Sequence, residues 1–297
     1  MSKLAEKLIE SVINISEGQR PEVVASLAEI FRAGARLLDY SADYCHNRSV
    51  FTLVGDADAL LETVFAAVSY AVANIDLRRH QGEHPRIGAV DVIPFIPLGG
   101  TRMTDCIDLA RRLGERIGRE LAIPVYLYQE AATRQERCNL SEVRRGQFEG
   151  LAAKMARPAW QPDFGPAEPH PSFGAVAIGA RFFLVAYNIN LAVNDVDQAK
   201  RIAKKIREAD GGLAKVKALG FLVDGRAQVS INLTDYRQTG LLEVYRAVEQ
   251  EAARLGIEIA NSELIGLLPQ RAILDVAAAA LALPGLTKEQ ILEHWLD

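Results

Sequence analysis

Cysteine is scarce in this chain. Cys45, Cys106 and Cys138 are an odd set at wide, unpatterned spacing. Such a set forms neither a disulfide framework nor a zinc site and fits free thiols in a reducing compartment. Positive charge is not in excess either. A net charge of −4 excludes the basic face that nucleic acid requires and a polybasic membrane anchor. The longest apolar run, from Ala272 to Leu283, contains Asp275 and is too short to span a bilayer. The N-terminal stretch MSKLAEKLIESVINIS lacks the cationic start, long apolar core and cleavage site of a signal peptide. Also missing are a phosphate-binding G-x-x-x-x-G-K-[ST], a dinucleotide G-x-G-x-x-G between strand and helix, and a nucleophile-elbow G-x-S-x-G. These absences lead to the expectation of a cytoplasmic, soluble protein with no membrane and no nucleic acid among its partners.

What is present is an ordinary globular composition, 49% apolar and 24% charged over 297 residues. That length allows one large domain or two of ordinary size. Leu8 to Ile15 reads as a strand, and Pro21 opens a helix through Phe31. Arg36 to Tyr40 and Ser49 to Val54 read as strands around a polar loop. Asp56 to Ile75 is a long amphipathic helix, and Ala89 to Phe95 is a strand. A helix capped by Thr104 or Asp105 runs to Leu121, ahead of a strand at Val125 to Tyr128. The order is β-α-β-β-α-β plus one more helix and strand. A Pro-rich, mostly irregular connector follows between Asn139 and Pro171, and Trp160, Phe164 and Phe173 argue that it is ordered.

The second half restarts with a strand from Phe182 to Leu191 and a helix from Val196 to Ala209. A hairpin over Val216 to Leu233 turns at Asp224-Gly225. A helix from Thr239 to Leu255, a strand from Ile257 to Asn261 and a helix from Pro269 to Leu281 complete the chain. The fold class predicted is α/β (α+β): two ferredoxin-like βαββαβ subdomains, residues 1–180 and 181–297, with a ligand cleft between them and a Pro-rich connector at 158–174.

The most chemically loaded stretch is Arg79-His80-Gln81-Gly82-Glu83-His84-Pro85-Arg86, which leads into the apolar strand Ile87 to Leu98. Gly82 and Pro85 make it a loop, and a loop held by a rigid strand is a common place to present chemistry. His80-x-x-x-His84 has metal-ligand spacing only on a helix, and no Cys or further His is near enough in sequence to complete a coordination shell. Two readings stay open on pattern alone: loop histidines bonded to backbone, or an imidazole that moves a proton in a transfer reaction.

The string HQGEHPRIGAVDVIPFIPL resembles the signature of glutamate formimidoyltransferases (formiminotransferases). Asn14-Ile15-Ser16-Glu17-Gly18, Asn47-Arg48-Ser49-Val50-Phe51, Pro124-Val125-Tyr126-Leu127-Tyr128 and Asp163-Phe164-Gly165-Pro166 are similar to that family's blocks, in the same order. Gly179-Ala180-Arg181 and Asn188-Ile189-Asn190-Leu191 extend the likeness into the second half. The resemblance implies transfer of the formimino group of N-formimino-L-glutamate to tetrahydrofolate, as co-substrate and without a metal. Two alternatives are formyl transfer between 5-formyltetrahydrofolate and glutamate, and a folate-binding module without turnover. The Glu-His-Pro triplet makes His84 the implied general acid/base, with Glu83, Asp91 or Asp43 as assisting carboxylates.

Asp43, Arg48, Arg86, Asn188 and Asn190 are the expected substrate-binding residues, since Arg grips carboxylates through paired hydrogen bonds. Asn188 and Asn190 face one side of a strand. Tyr44 and Cys45 depart from the family's wording in the loop that carries Asp43. The family's folate-binding stretch falls on Gly165, Pro166, Ala167, Glu168, Pro169, His170, Pro171, Ser172, Phe173 and Gly174, a stiff loop with an aromatic at its end for a flat heterocycle. The resemblance also implies a homodimer. Because the sequence stops at Asp297, it further implies a separate cyclodeaminase partner.

Overall fold

The computed structural model describes residues 7–295. By packing it divides into two compact units at Arg181/Phe182. In the first unit, strand β1 (Lys7–Ile15) is followed by helix α1 (Pro21–Gly34), β2 (Arg36–Asp43), β3 (Arg48–Gly55), α2 (Ala57–Asn74) and β4 (Val90–Gly99). Then come α3 (Met103–Glu120), β5 (Val125–Gln129), the short helices α4 (Leu140–Arg144) and α5 (Leu151–Met155), and β6 (Val176–Ala180). The six strands form one sheet in the order β2-β3-β1-β4-β6-β5. β1 is antiparallel to both neighbours, while β6 runs parallel to β4 and β5.

Alternation along β1 separates the two faces of this sheet. Ile9, Ile13 and Ile15 point into the core that also holds Leu27 and Phe31 of α1, Leu60, Val64 and Val68 of α2, and Leu109 and Leu113 of α3. Glu10, Val12 and Asn14 take the opposite face. Helix α2 starts where its cap dictates: the Asp56 carboxylate accepts from the backbone N–H groups of Asp58 and Ala59. Helix α3 differs from expectation, because Arg102 is its N-cap and Asp105 sits three residues in, with its carboxylate accepting the Arg102 N–H at 3.1 Å.

Strand β6 lies within the stretch between the connector and the strand expected from Phe182. It is buried along its whole length between β4 and β5. The connector is ordered, with short helical turns, and is pinned at Asp163. That carboxylate accepts from Leu127 N at 2.8 Å, from the Thr133 hydroxyl, and from fully buried Arg137 at 2.5 Å. Arg137 in turn donates to the carbonyls of Ala159 and Gln161. The Tyr126 hydroxyl donates to the Trp160 carbonyl at 2.7 Å.

The second unit comprises β7 (Val185–Leu191), α6 (Val196–Ile206), β8 (Val216–Val223), β9 (Arg226–Leu233), α7 (Leu241–Arg254), β10 (Ile259–Ile265) and α8 (Gln270–Ala280). Its sheet runs β10-β7-β9-β8, so the strands of this β-α-β-β-α-β series stand in the order fourth, first, third, second. The first unit has the same series and order in β4-β1-β3-β2, with β6 and β5 added beyond β4. The β8–β9 hairpin turns through Asp224 at φ 48° and Gly225 at φ 75°, the left-handed pair that a two-residue turn needs. Among the described residues no helix is long and apolar enough to cross a membrane.

Candidate active site

Three loops of the first unit meet around Asn47. Its side-chain oxygen accepts from Gly18 N and its amide donates to the Gln81 carbonyl, both at 2.9 Å. Its own carbonyl accepts from His80 Nε2 at 2.9 Å. Asn47 sits at φ 46°, a conformation that Asn tolerates better than most residues. Gly82 completes the junction, since a Cβ there would lie 2.4 Å from the His46 carbonyl oxygen. The histidine loop can approach the β2–β3 loop this closely only without a side chain.

The two histidines of the loop have separate fates. His80 accepts from Arg86 Nε at Nδ1, 3.0 Å, and donates from Nε2 to Asn47, so both ring nitrogens are used by the protein. It is neutral, and burial lowers its pKa. Arg86 is itself buried, and its remaining donors reach Gln147 and Glu149. Its guanidinium clamps the loop to the 147–149 turn.

His84 carries the open chemistry. Its Nε2 lies 2.7 Å from Arg48 Nη1. A guanidinium can only donate, so Nε2 is the acceptor and the ring is held as the neutral Nδ1–H tautomer. Arg48 also donates to the Asn14 side chain at 3.3 Å. Burial, then the charges of Arg48 and Arg144, lower the His84 pKa to about 2. Burial and the charge of Arg144 also lower the Arg48 pKa. The site is thus crowded with cations, the condition that an arriving anion relieves.

The partner of the imidazole is therefore a cation. Asp43 accepts from the N–H and ring Nδ1 of His46, closing its own exposed turn. Asp91 accepts Ile87 N at 2.8 Å and Arg144 Nε at 2.8 Å, fastening the end of the histidine loop to α4. Glu83 is exposed, with its backbone N–H directed at the Cys45 carbonyl.

Arg144, which sequence reasoning passed over, is supported at two positions. One is Asp91, expected as an assisting carboxylate. The other is Lys154, whose amine donates to the carbonyls of Glu142, Val143 and Arg145 at the end of α4 and sits 3.8 Å over the Trp160 ring. A cation at the carbonyl end of a helix is favourable, and burial lowers the pKa of this one to about 8.

In the stretch Gly165–Gly174, Phe173 is fully buried in the main core, so its ring anchors the loop. The Ser172 carbonyl accepts from Leu77 N and the Phe173 carbonyl from Ala89 N, both at 2.8 Å. Pro166, Ala167 and Glu168 are exposed. Asn188 and Asn190 lie on the second unit's sheet. They donate to Glu263 at 3.0 Å and Asn261 at 2.7 Å across β10, and Gln228 of β9 donates to Asn190 at 2.9 Å.

The family model "Formiminotransferase domain, N-terminal subdomain" matches residues 8–181, and "Formiminotransferase domain" matches residues 186–284. The chain is 44% identical over 295 residues to a glutamate formimidoyltransferase of Streptococcus pyogenes serotype M1, covering 98% of this chain and 99% of that one. It is 44% identical to a glutamate formimidoyltransferase of Thermoplasma acidophilum, covering 98% of this chain and 97% of that one. It is 42% identical to a formimidoyltransferase-cyclodeaminase of Rattus norvegicus, covering 92% of this chain and 52% of that longer protein. With both halves matched in order and relatives of this identity over nearly its full length, the chain belongs to the formiminotransferase family.

Proposed function

We propose that this protein transfers the formimino group of N-formimino-L-glutamate to the five-position nitrogen of tetrahydrofolate, giving 5-formiminotetrahydrofolate and L-glutamate. The two glutamate formimidoyltransferases that match it nearly end to end support the reaction class. The observation that carries the mechanism is the neutral His84 ring, whose Nε2 lone pair is held by Arg48 at 2.7 Å.

Both substrates bring carboxylates into a site where Arg48 and Arg144 bear on one imidazole. A carboxylate of formiminoglutamate is a better partner for Arg48 than a neutral ring nitrogen, because both groups are then charged. As Arg48 turns to it, the Nε2 lone pair is released and the added negative charge raises the His84 pKa toward the range of a working base. The tetrahydrofolate N5 attacks the formimino carbon, and His84 takes the N5 proton. The tetrahedral intermediate then collapses as His84 returns that proton to the departing glutamate nitrogen, so one group serves as base and then acid. Asn14, through its contact with Arg48, fixes where the guanidinium starts. In this reading the exposed part of the Gly165–Gly174 loop contacts the folate, and Asp43 shapes the rim beside Arg48.

The test is turnover of purified protein with tetrahydrofolate and either formiminoglutamate or, in reverse, 5-formyltetrahydrofolate with glutamate. The proposal requires the formimino donor to be preferred in kcat/KM. Preference for the formyl reaction would replace the donor, and activity with neither would overturn the reading.

A further inference from the structure

Glu10 is the least comfortable group in the first unit. It is 4% exposed, and its Oε2 has no hydrogen-bond partner. A buried carboxylate oxygen left unsatisfied is costly, so a protein that keeps one calls for a reason outside its own packing. The register partners of Glu10 are Val54 on β3 and Ile96 on β4, both buried and apolar. The cation that influences it is Arg181, whose side chain also hydrogen-bonds the buried Tyr128.

Position gives the reason. Glu10 and Asn14 lie on the same face of β1, four residues apart, and Asn14 touches Arg48, the partner of His84. Four residues of strand place the Glu10 backbone about 13 Å from that of Asn14. Glu10 therefore stands apart from the group on which His84 acts, on the face of β1 along which a molecule reaching His84 could extend.

Resting on the transferase reading above, we propose that Glu10 is a binding residue for the co-substrate, accepting the adjacent ring N–H and exocyclic amine of the pterin's pyrimidine edge. The carboxylate has two acceptor oxygens side by side, and that edge offers two parallel donors. Bound pterin then satisfies Oε2 and sets the heterocycle's rotation, so that its five-position nitrogen faces His84. The same carboxylate discriminates against heterocycles that lack the amine.

The experiment compares wild type with Glu10→Gln in steady state, varying each substrate in turn, together with a tetrahydrofolate analogue lacking the exocyclic amine. The variant is expected to raise KM for tetrahydrofolate about 10–100-fold, the scale of losing a charge-assisted hydrogen bond. KM for formiminoglutamate should change less than about threefold and kcat little, since the residue is remote from the reacting atoms. Wild type should bind the analogue poorly, and the variant should no longer distinguish it from tetrahydrofolate. An unchanged KM for tetrahydrofolate, equal rises for both substrates, or wild-type indifference to the missing amine would overturn the assignment while leaving the transferase reading intact. A wild type without transfer activity would instead overturn the transferase reading, and this assignment with it.

Discussion

Replacing Glu10 with Gln in the ligand-free protein should stabilise it, and the gain should depend on pH in a defined direction. Burial raises the Glu10 pKa from 4.5 to about 7, with Arg181 opposing. Between those values the folded chain keeps a proton that the unfolded chain has released. Below pH 4.5 both states hold the proton and the carboxyl imposes no charge penalty. The penalty grows as pH rises through the window and is complete above about pH 7. A displacement of about 2.5 units at about 1.36 kcal/mol each gives a ceiling of about 3 kcal/mol. Gln keeps the volume and never ionises. Urea unfolding at pH 8 should therefore find Glu10→Gln more stable by about 1–3 kcal/mol, and at pH 4 the two proteins should agree within about 0.5 kcal/mol. A variant no more stable than wild type at pH 8, or a gain that does not shrink with acidity, would refute the view of Glu10 as a buried carboxylate waiting for a partner.

Arg48→Gln should raise the His84 pKa, because it removes a positive charge next to the ring. At about 4 Å and an effective dielectric constant of about 20 the interaction is about 4 kcal/mol, a ceiling of about 3 pKa units. With burial retained, a rise of about 1–2 units is expected in ¹⁵N–¹H spectra of the histidine side chains, and an unchanged titration would mean that Arg48 does not control the ring. Arg137→Met leaves Asp163 buried without its cation and should destabilise the protein by about 3–5 kcal/mol in urea unfolding. A loss below about 1 kcal/mol would show that the connector does not depend on this pair.

Much of the fold is legible in the sequence, because local signals mark its boundaries. Asp56 caps α2 where the amphipathic pattern begins, and Asp224-Gly225 gives the β8–β9 turn its two left-handed residues. Both β-α-β-β-α-β series follow from such punctuation. Strand β6 escaped because a short, wholly buried parallel strand reads only as an apolar run, and Val176–Ala180 follows a Pro-rich segment that suggests continued irregularity.

At the site, the family's Glu-His-Pro wording singles out His84, and Arg48 stands in a matching block. That they touch is a contact across 36 positions, which no periodicity encodes. The same holds for Asp91, one of the carboxylates expected to assist His84, which the fold bonds to Arg144 and to the end of the histidine loop. Glu10, Arg137 and Lys154 look like surface charges in the sequence. Their burial arises from strand order and from the connector laid over β5, neither of which is a local property.

The account rests most directly on His84. The decisive measurement is single-turnover transfer from formiminoglutamate to tetrahydrofolate by wild type and by His84→Ala at saturating substrates. The account predicts a rate at least about a hundredfold lower in the variant, the usual scale for losing a general acid/base, with a folded protein that still binds tetrahydrofolate. A His84→Ala variant that transfers the group at close to the wild-type rate would contradict it.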